Sequence, residues 1–212
     1  MSAGRVIRYS LSERIMHWVA ALSYVYLLIT GLAFYSPRLY WLNGLTGGGP
    51  TARAWHPLAG LLFFFSTVWM YRTWRRDMQA TEADRDWNKA LLQYVRNEDE
   101  SVPAVGRFNA GQKQFFWLML VCSVFLLLSG IVLWFTDALP WSLRDLRYGS
   151  VLTHVIAFLL TVAGFIVHIY MGVFVVPGGL HGIVHGDVTP AWAKMHHRLW
   201  YGEKIGAGSI KP

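Results

Sequence analysis

The run from Tyr148 to Pro177, YGSVLTHVIAFLLTVAGFIVHIYMGVFVVP, contains no Asp, Glu, Lys or Arg. A helical bilayer crossing needs about 20 apolar residues, so this stretch predicts a membrane-spanning helix. Two histidines, His154 and His168, stand inside it. Their separation of 14 positions puts them within roughly 40° of each other on one helix face and about 21 Å apart along its axis. An ionisable side chain at bilayer depth is costly and marks function by default. Two on one stripe, at two depths, point to two stacked sites of one kind. The plainer alternative is that each histidine only bonds a neighbouring helix.

The rest of the chain agrees with a membrane setting. Its 212 residues are 54% hydrophobic and only 15% charged, with a mean hydropathy of +0.33. That balance excludes an ordinary soluble domain and favours one membrane domain, residues 1–212. The formal charge of +7 and the pI near 9.7 read as a positive-inside bias rather than nucleic-acid binding. The first apolar run is too long for a signal-peptide core and lacks a small-residue cleavage site, so it is expected to stay as a span. A single cysteine, Cys122, excludes an internal disulfide, a thiolate cluster and a C-x-x-C-H attachment motif; any haem would be held non-covalently. The expectation is of no internal repeat and no low-complexity tract.

Four spans are predicted, at about residues 15–35, 54–71, 114–135 and 149–176. The Gly-rich connection between the first two reads as a loop. A polar segment, 77–113, separates the second and third spans, and within it Trp87–Val95 reads as a short amphipathic helix lying on the membrane. A polar and aromatic tail, 178–212, follows the Pro177-Gly178-Gly179 break. Four spans put both termini on one side. Of the 19 Lys and Arg residues, 15 fall in the N-terminal arm, the 72–113 segment and the tail, and 4 in the two opposite loops. The positive-inside rule then places the termini, the 77–113 loop and the tail in the cytoplasm, with the chain in a bacterial inner membrane.

That topology pairs the histidines by depth. His17 and His168 fall near the cytoplasmic face, His56 and His154 near the outer face. Two bis-histidine sites at two depths are what two stacked b-type haems require. The expected architecture is thus an all-α, four-transmembrane-helix bundle holding two haems b. Zinc fits less well, because no Cys, Asp or Glu converges at either depth. Met171, one turn beyond His168, reads as packing. His181, His185, His196 and His197 lie past the Pro-Gly-Gly break, and the first two read as an interfacial polar face. Gly31, Gly60 and Gly172 match the histidine stripes and would allow close approach of either a macrocycle or a neighbouring helix.

Several strings resemble those of the membrane cytochrome b (gamma) subunit of respiratory formate dehydrogenase, over essentially the whole length. They are R-x-M-H-W at Arg14–Trp18, H-P-x-x-G at His56–Gly60, F-N-A-G-Q-K at Phe108–Lys113, H-I-Y-M at His168–Met171, and W-A-K-x-H-H at Trp192–His197. The resemblance implies an electron conduit in a complex and allows a higher oligomer of that complex. An iron–sulfur subunit, fed by a catalytic formate dehydrogenase subunit, passes electrons to the outer haem, then the inner haem, then menaquinone or ubiquinone. It carries His56 and His154 over as outer haem ligands, His17 and His168 as inner ones, and Asn109, Gly111 and Gln112 as quinone contacts. Formate oxidation itself would lie in the partner. Two other readings stand beside it: the cytochrome b subunit of a hydrogenase or related oxidoreductase, and a haem-free anchor or proton-relay transporter.

Overall fold

The computed structural model describes residues 4–96, 98 and 101–206. The acidic run Asn97–Glu100 falls mostly outside the described residues, and so does the tail beyond 206. Four long helices carry the chain: α1 (Leu11–Tyr35), α2 (Gly49–Trp74), α5 (Ala110–Trp134) and α6 (Arg144–Ile169). Between them lie the short helices α3 (Glu82–Lys89) and α4 (Leu91–Val95), and beyond them α7 (Gly179–His185), α8 (Pro190–His196) and α9 (Arg198–Gly206). One two-stranded antiparallel pair, β1 (Val6–Ile7) with β2 (Asp187–Val188), ties the N-terminal arm to the tail in the register Val6 opposite Val188.

Among the described residues, three segments are long and apolar enough to cross a membrane: Leu11–Tyr35, Ala110–Trp134 and Trp141–Val175. A helix is the natural state of such runs, because lipid offers the backbone no hydrogen-bond partners. The fourth expected span corresponds to α2. At 26 residues it matches the others in length, but Trp55, His56, Pro57, Trp69 and Tyr71 dilute its apolar character. Pro57 lies inside it and withholds the N–H that would bond the Arg53 carbonyl.

The helix ends differ from the expected spans for identifiable reasons. Reciprocal caps start α1 and α5 four residues before the apolar runs. Ser10 N–H donates to Glu13 Oε2 at 2.8 Å and Glu13 N–H to Ser10 Oγ at 3.3 Å. Asn109 N–H donates to Gln112 Oε1 at 3.0 Å and Gln112 N–H to Asn109 Oδ1 at 2.9 Å. Each box satisfies two donors that a helix start leaves orphaned. The Gly-rich connection is not an irregular loop: Pro37–Thr46 forms a 3-10 helix, closed by Gly47 at φ 85°, with Gly48 at φ 94° leading into α2. Past His168 the backbone widens into a π-helical turn, Tyr170–Val175.

The described chain divides into two compact units. One, called here the apolar unit, comprises Met16–Arg72 and Leu118–Gly164; the other, the polar unit, comprises Met1–Ile15, Thr73–Trp117 and Phe165–Pro212. In the polar unit Trp87, Tyr94, Val105, Ala110, Val175 and Val176 form a buried cluster, with Met171 and Trp192 packed against it. This corrects the expectation of a membrane-surface helix over Trp87–Val95. The segment breaks at Ala90 into α3 and α4, and Trp87 is only 2% exposed. Its indole is taken up by the unit's own core.

Candidate functional site

The two histidines expected near the outer face, His56 and His154, lie together within the apolar unit. The rings of His56 on α2 and His154 on α6 have centroids 6.4 Å apart with planes at 51°. His56 Nδ1 lies 2.6 Å from Thr30 Oγ1, and His154 Nδ1 lies 2.9 Å from Ser129 Oγ. Both hydroxyls donate their own protons backwards along their helices, Thr30 to the Tyr26 carbonyl at 2.9 Å and Ser129 to the Phe125 carbonyl at 2.6 Å. The Phe34 ring packs edge-on against His56 at 5.4 Å. A Cβ at Gly130 would stand 3.4 Å from His154 Cε1, and one at Gly31 only 3.1 Å from the Phe158 ring. At Gly60 a Cβ would meet nothing within 4 Å. The space beside Gly31 therefore belongs to Phe158, while that beside Gly60 is open.

These residues fit a haem iron. A metal–imidazole nitrogen bond is about 2 Å and the ring centre lies about 1 Å behind it, so two imidazoles facing one ion have centroids roughly 6 Å apart. The observed spacing is that of a bis-imidazole pair. Each ring has its Nδ1 tied to a hydroxyl, which leaves Nε2 as the nitrogen for a metal, in the usual pattern of a ligand anchored through its other nitrogen. Among the described residues there is no group of three or more His, Cys, Asp or Glu that could hold a bare metal ion.

Each remaining candidate sits in its own setting. His17 belongs to the apolar unit, half-buried, with Trp18 edge-on to it at 5.5 Å. His168 belongs to the polar unit and stacks flat on Phe115 at 4.4 Å. Asn109 is 3% exposed and also donates through Nδ2 to the Tyr94 hydroxyl at 3.3 Å. A Cβ at Gly111 would stand 3.2 Å from the Trp87 ring, so this glycine is where the indole packs against the start of α5. The Asn109–Gln112 segment is thus first of all a helix cap.

The tail histidines have structural partners. His181 shares Asp187 with Arg5, at 3.1 and 2.6 Å, and stacks on His185. His197 is 1% exposed. Its Nε2 accepts from Arg8 Nη2 at 2.9 Å, and its Nδ1 donates to the Gly106 carbonyl at 2.9 Å. Burial, reinforced by the Arg8 charge, holds this imidazole well below its ordinary pKa. Both of its nitrogens are committed, which leaves none for a metal. Arg107 joins the same network, bonding Glu13 at 2.6 Å and Asp77 at 3.0 Å.

The hydroxyls are legible in the sequence only as part of an internal repeat. VYLLITG (Val25–Gly31) is matched by VFLLLSG (Val124–Gly130), and HPLAGLL (His56–Leu62) by HVIAFLL (His154–Leu160). The match extends to the caps, Ser10 and Glu13 against Asn109 and Gln112, and to Arg14-x-x-x-Trp18 against Lys113-x-x-x-Trp117. α1 and α5 are both 25 residues long. Half of the outer pair comes from each copy. The expectation of no internal repeat is therefore corrected.

Residues 8–186 match the family model of prokaryotic cytochrome b561, and the chain belongs to that family: it is a membrane cytochrome b, and the family implies haem b. Among its relatives, the formate dehydrogenase cytochrome b556 subunit of Haemophilus influenzae is 35% identical over 95% of this chain and 84% of that protein. The cytochrome b556(fdo) subunit of formate dehydrogenase from Escherichia coli K12 is 36% identical over 93% of this chain and 92% of its own length. The nitrate-inducible formate dehydrogenase cytochrome b556(Fdn) subunit of the same organism is 29% identical over 93% and 91%.

Proposed function

We propose that this chain is the haem-bearing membrane subunit of a formate dehydrogenase complex, with His56 and His154 as the axial ligands of an outer haem b. The single observation that carries the reading is the 6.4 Å ring spacing with both Nδ1 atoms engaged. The near full-length likeness to formate dehydrogenase cytochrome subunits supports the choice of complex. Bound haems supply one-electron carriers across the membrane. The second pair, His17 and His168, rests on the depth reasoning from sequence, as do the single membrane domain, the fourth span at α2 and the cytoplasmic placement of both termini.

In this reading an iron–sulfur subunit on the outer side, fed by the catalytic subunit, delivers electrons that leave to a quinone near the cytoplasmic face. Inward transfer against a potential negative inside costs about 2.3 kcal/mol per electron per 100 mV, which a donor as reducing as formate can supply. The segment Asn109–Gln112 stands at the start of α5, close in sequence to Phe115, which stacks on His168. Asn109 and Gln112 spend their amide oxygens on the cap, so the Gln112 Nε2–H₂ is the donor left to meet a quinone carbonyl. In the same unit, a cavity of about 740 Å³ is lined by Phe108 and Lys113, which flank that segment, and by Glu13, Asp77, Asp84 and Arg107. Its charged walls suit delivery of the protons that quinone reduction consumes.

Gln112→Glu tests the quinone site while keeping the cap, because glutamate serves equally at the third position of a capping box. Haems in that variant should reduce with formate as in wild type but reoxidise more slowly with added quinone. Reoxidation at the wild-type rate would move the quinone elsewhere.

A further inference from the structure

The Thr30 and Ser129 hydroxyls have no ligand of their own, yet each ends a hydrogen-bond chain that dictates the state of a histidine. A hydroxyl has one proton to give. Thr30 gives its proton to the Tyr26 carbonyl and Ser129 to the Phe125 carbonyl. With that proton directed to the carbonyl, each hydroxyl turns its lone pairs to the imidazole nitrogen 2.6 or 2.9 Å away. The arrangement favours a proton on Nδ1, and with it the Nδ1–H tautomer with an Nε2 lone pair. The same device is built twice, on the matched strings ending Thr30-Gly31 and Ser129-Gly130, by different residues of the same chemistry.

We propose that Thr30 and Ser129 are positioning residues that lock His56 and His154 as Nδ1–H tautomers, so that both present Nε2 to one haem iron and share a tuned, neutral ligand character. This rests on the outer-haem reading above. An Nδ1–H that donates makes its imidazole more basic and stabilises the oxidised iron. A carboxylate acceptor would do so strongly; a hydroxyl whose own proton is spent on a carbonyl does so mildly.

The test is a redox titration of the purified full-length chain, with the haem lost in His154→Ala taken as the outer one. Thr30→Val and Ser129→Ala should each raise the outer midpoint potential. Thr30→Ser and Ser129→Thr should restore the wild-type value. Transfer of haem to apomyoglobin from Thr30→Val should show roughly tenfold weaker retention, the low end of the usual cost of losing such a partner. Wild-type potentials in both Thr30→Val and Ser129→Ala at full haem content overturn the proposal. So does haem loss in Thr30→Val that Thr30→Ser fails to rescue. A wild-type chain that carries no haem overturns the outer-haem reading itself, a result distinct from the other two.

Discussion

The helix pair α1–α2 and the helix pair α5–α6 are two versions of one plan, and they differ where it matters. Both first helices open on a capping box, carry a cation at the next position, a tryptophan four residues on, and a hydroxyl-glycine step near the far end. Both second helices carry the histidine of the outer pair. At the other depth the plan is broken: the position matching His17 is Phe116, and the one matching His168 is Met70. His56 and His154 are thus matched positions of the repeat, one from each copy. His17 and His168 have no counterpart in it: each is particular to its own helix.

The sharpest way to break this comparison is to remove the matched ligands. His56→Ala and His154→Ala should have equal effects, each costing the chain one haem by pyridine haemochrome assay, with identical spectra of what remains. Different residual spectra would mean that the two halves do not serve one iron.

The caps come next. Glu13 does more than its counterpart Gln112, since it also accepts from Trp74 Nε1 at 2.6 Å and pairs with Arg107 at 2.6 Å. Glu13→Ala should cost about 3 kcal/mol, the loss expected when one partner of a buried pair is removed, against about 1 kcal/mol for Gln112→Ala, the usual value of a cap. Denaturation in detergent, followed by tryptophan fluorescence, measures both; equal losses would deny Glu13 its extra role.

The matched cations differ in a pH-dependent way. Arg14 donates to the Val184 carbonyl, whereas Lys113 bonds Asp84 at 2.8 Å. Burial opposes the Asp84 charge, but Lys113 and the Thr81 N–H outweigh it and hold the carboxyl below its ordinary pKa. A depressed carboxyl adds stability that is complete above the unfolded value of about 4 and lost as pH falls through the folded one. The polar unit should therefore weaken on acidification through that range, and Asp84→Asn should flatten the profile. An unchanged slope in Asp84→Asn would assign the acid sensitivity to another group.

The smallest effect is expected at the arginines before the outer ligands. Arg53 is exposed, while Arg147 donates to the Leu139 carbonyl at 2.7 Å. If Arg53 steadies the propionates of the outer haem, Arg53→Ala should lower that haem's potential slightly and Arg147→Ala should change it less. No shift in a redox titration of Arg53→Ala would leave it an ordinary interfacial arginine.

What the sequence revealed and what it hid follow from chemistry. Uncharged runs and the histidine stripe of α6 announce themselves, because charge is excluded from lipid and a histidine there stands out. The repeat is hidden because its copies share chemistry rather than letters, with Thr30 against Ser129 and Tyr26 against Phe125. The burial of Trp87 is hidden too. An amphipathic segment has the same pattern whether its apolar face meets lipid or a neighbouring Tyr94 and Val175. The Gly44–Gly49 run signals a connection, but not that Pro37–Thr46 would wind into a 3-10 helix. The string Phe108–Lys113 stands out as a motif, yet its most evident task is to cap α5, and the equivalent cap at Ser10–Glu13 shows that such a string recurs for a structural reason.

The central claim, that one haem b lies between His56 and His154 in a chain that holds two, meets its most direct test in haem stoichiometry. A pyridine haemochrome assay on pure full-length chain, quantified against protein, should give two haems b, falling to one in His154→Ala. A haem-free wild type, or a His154→Ala variant that keeps both haems, would contradict the account.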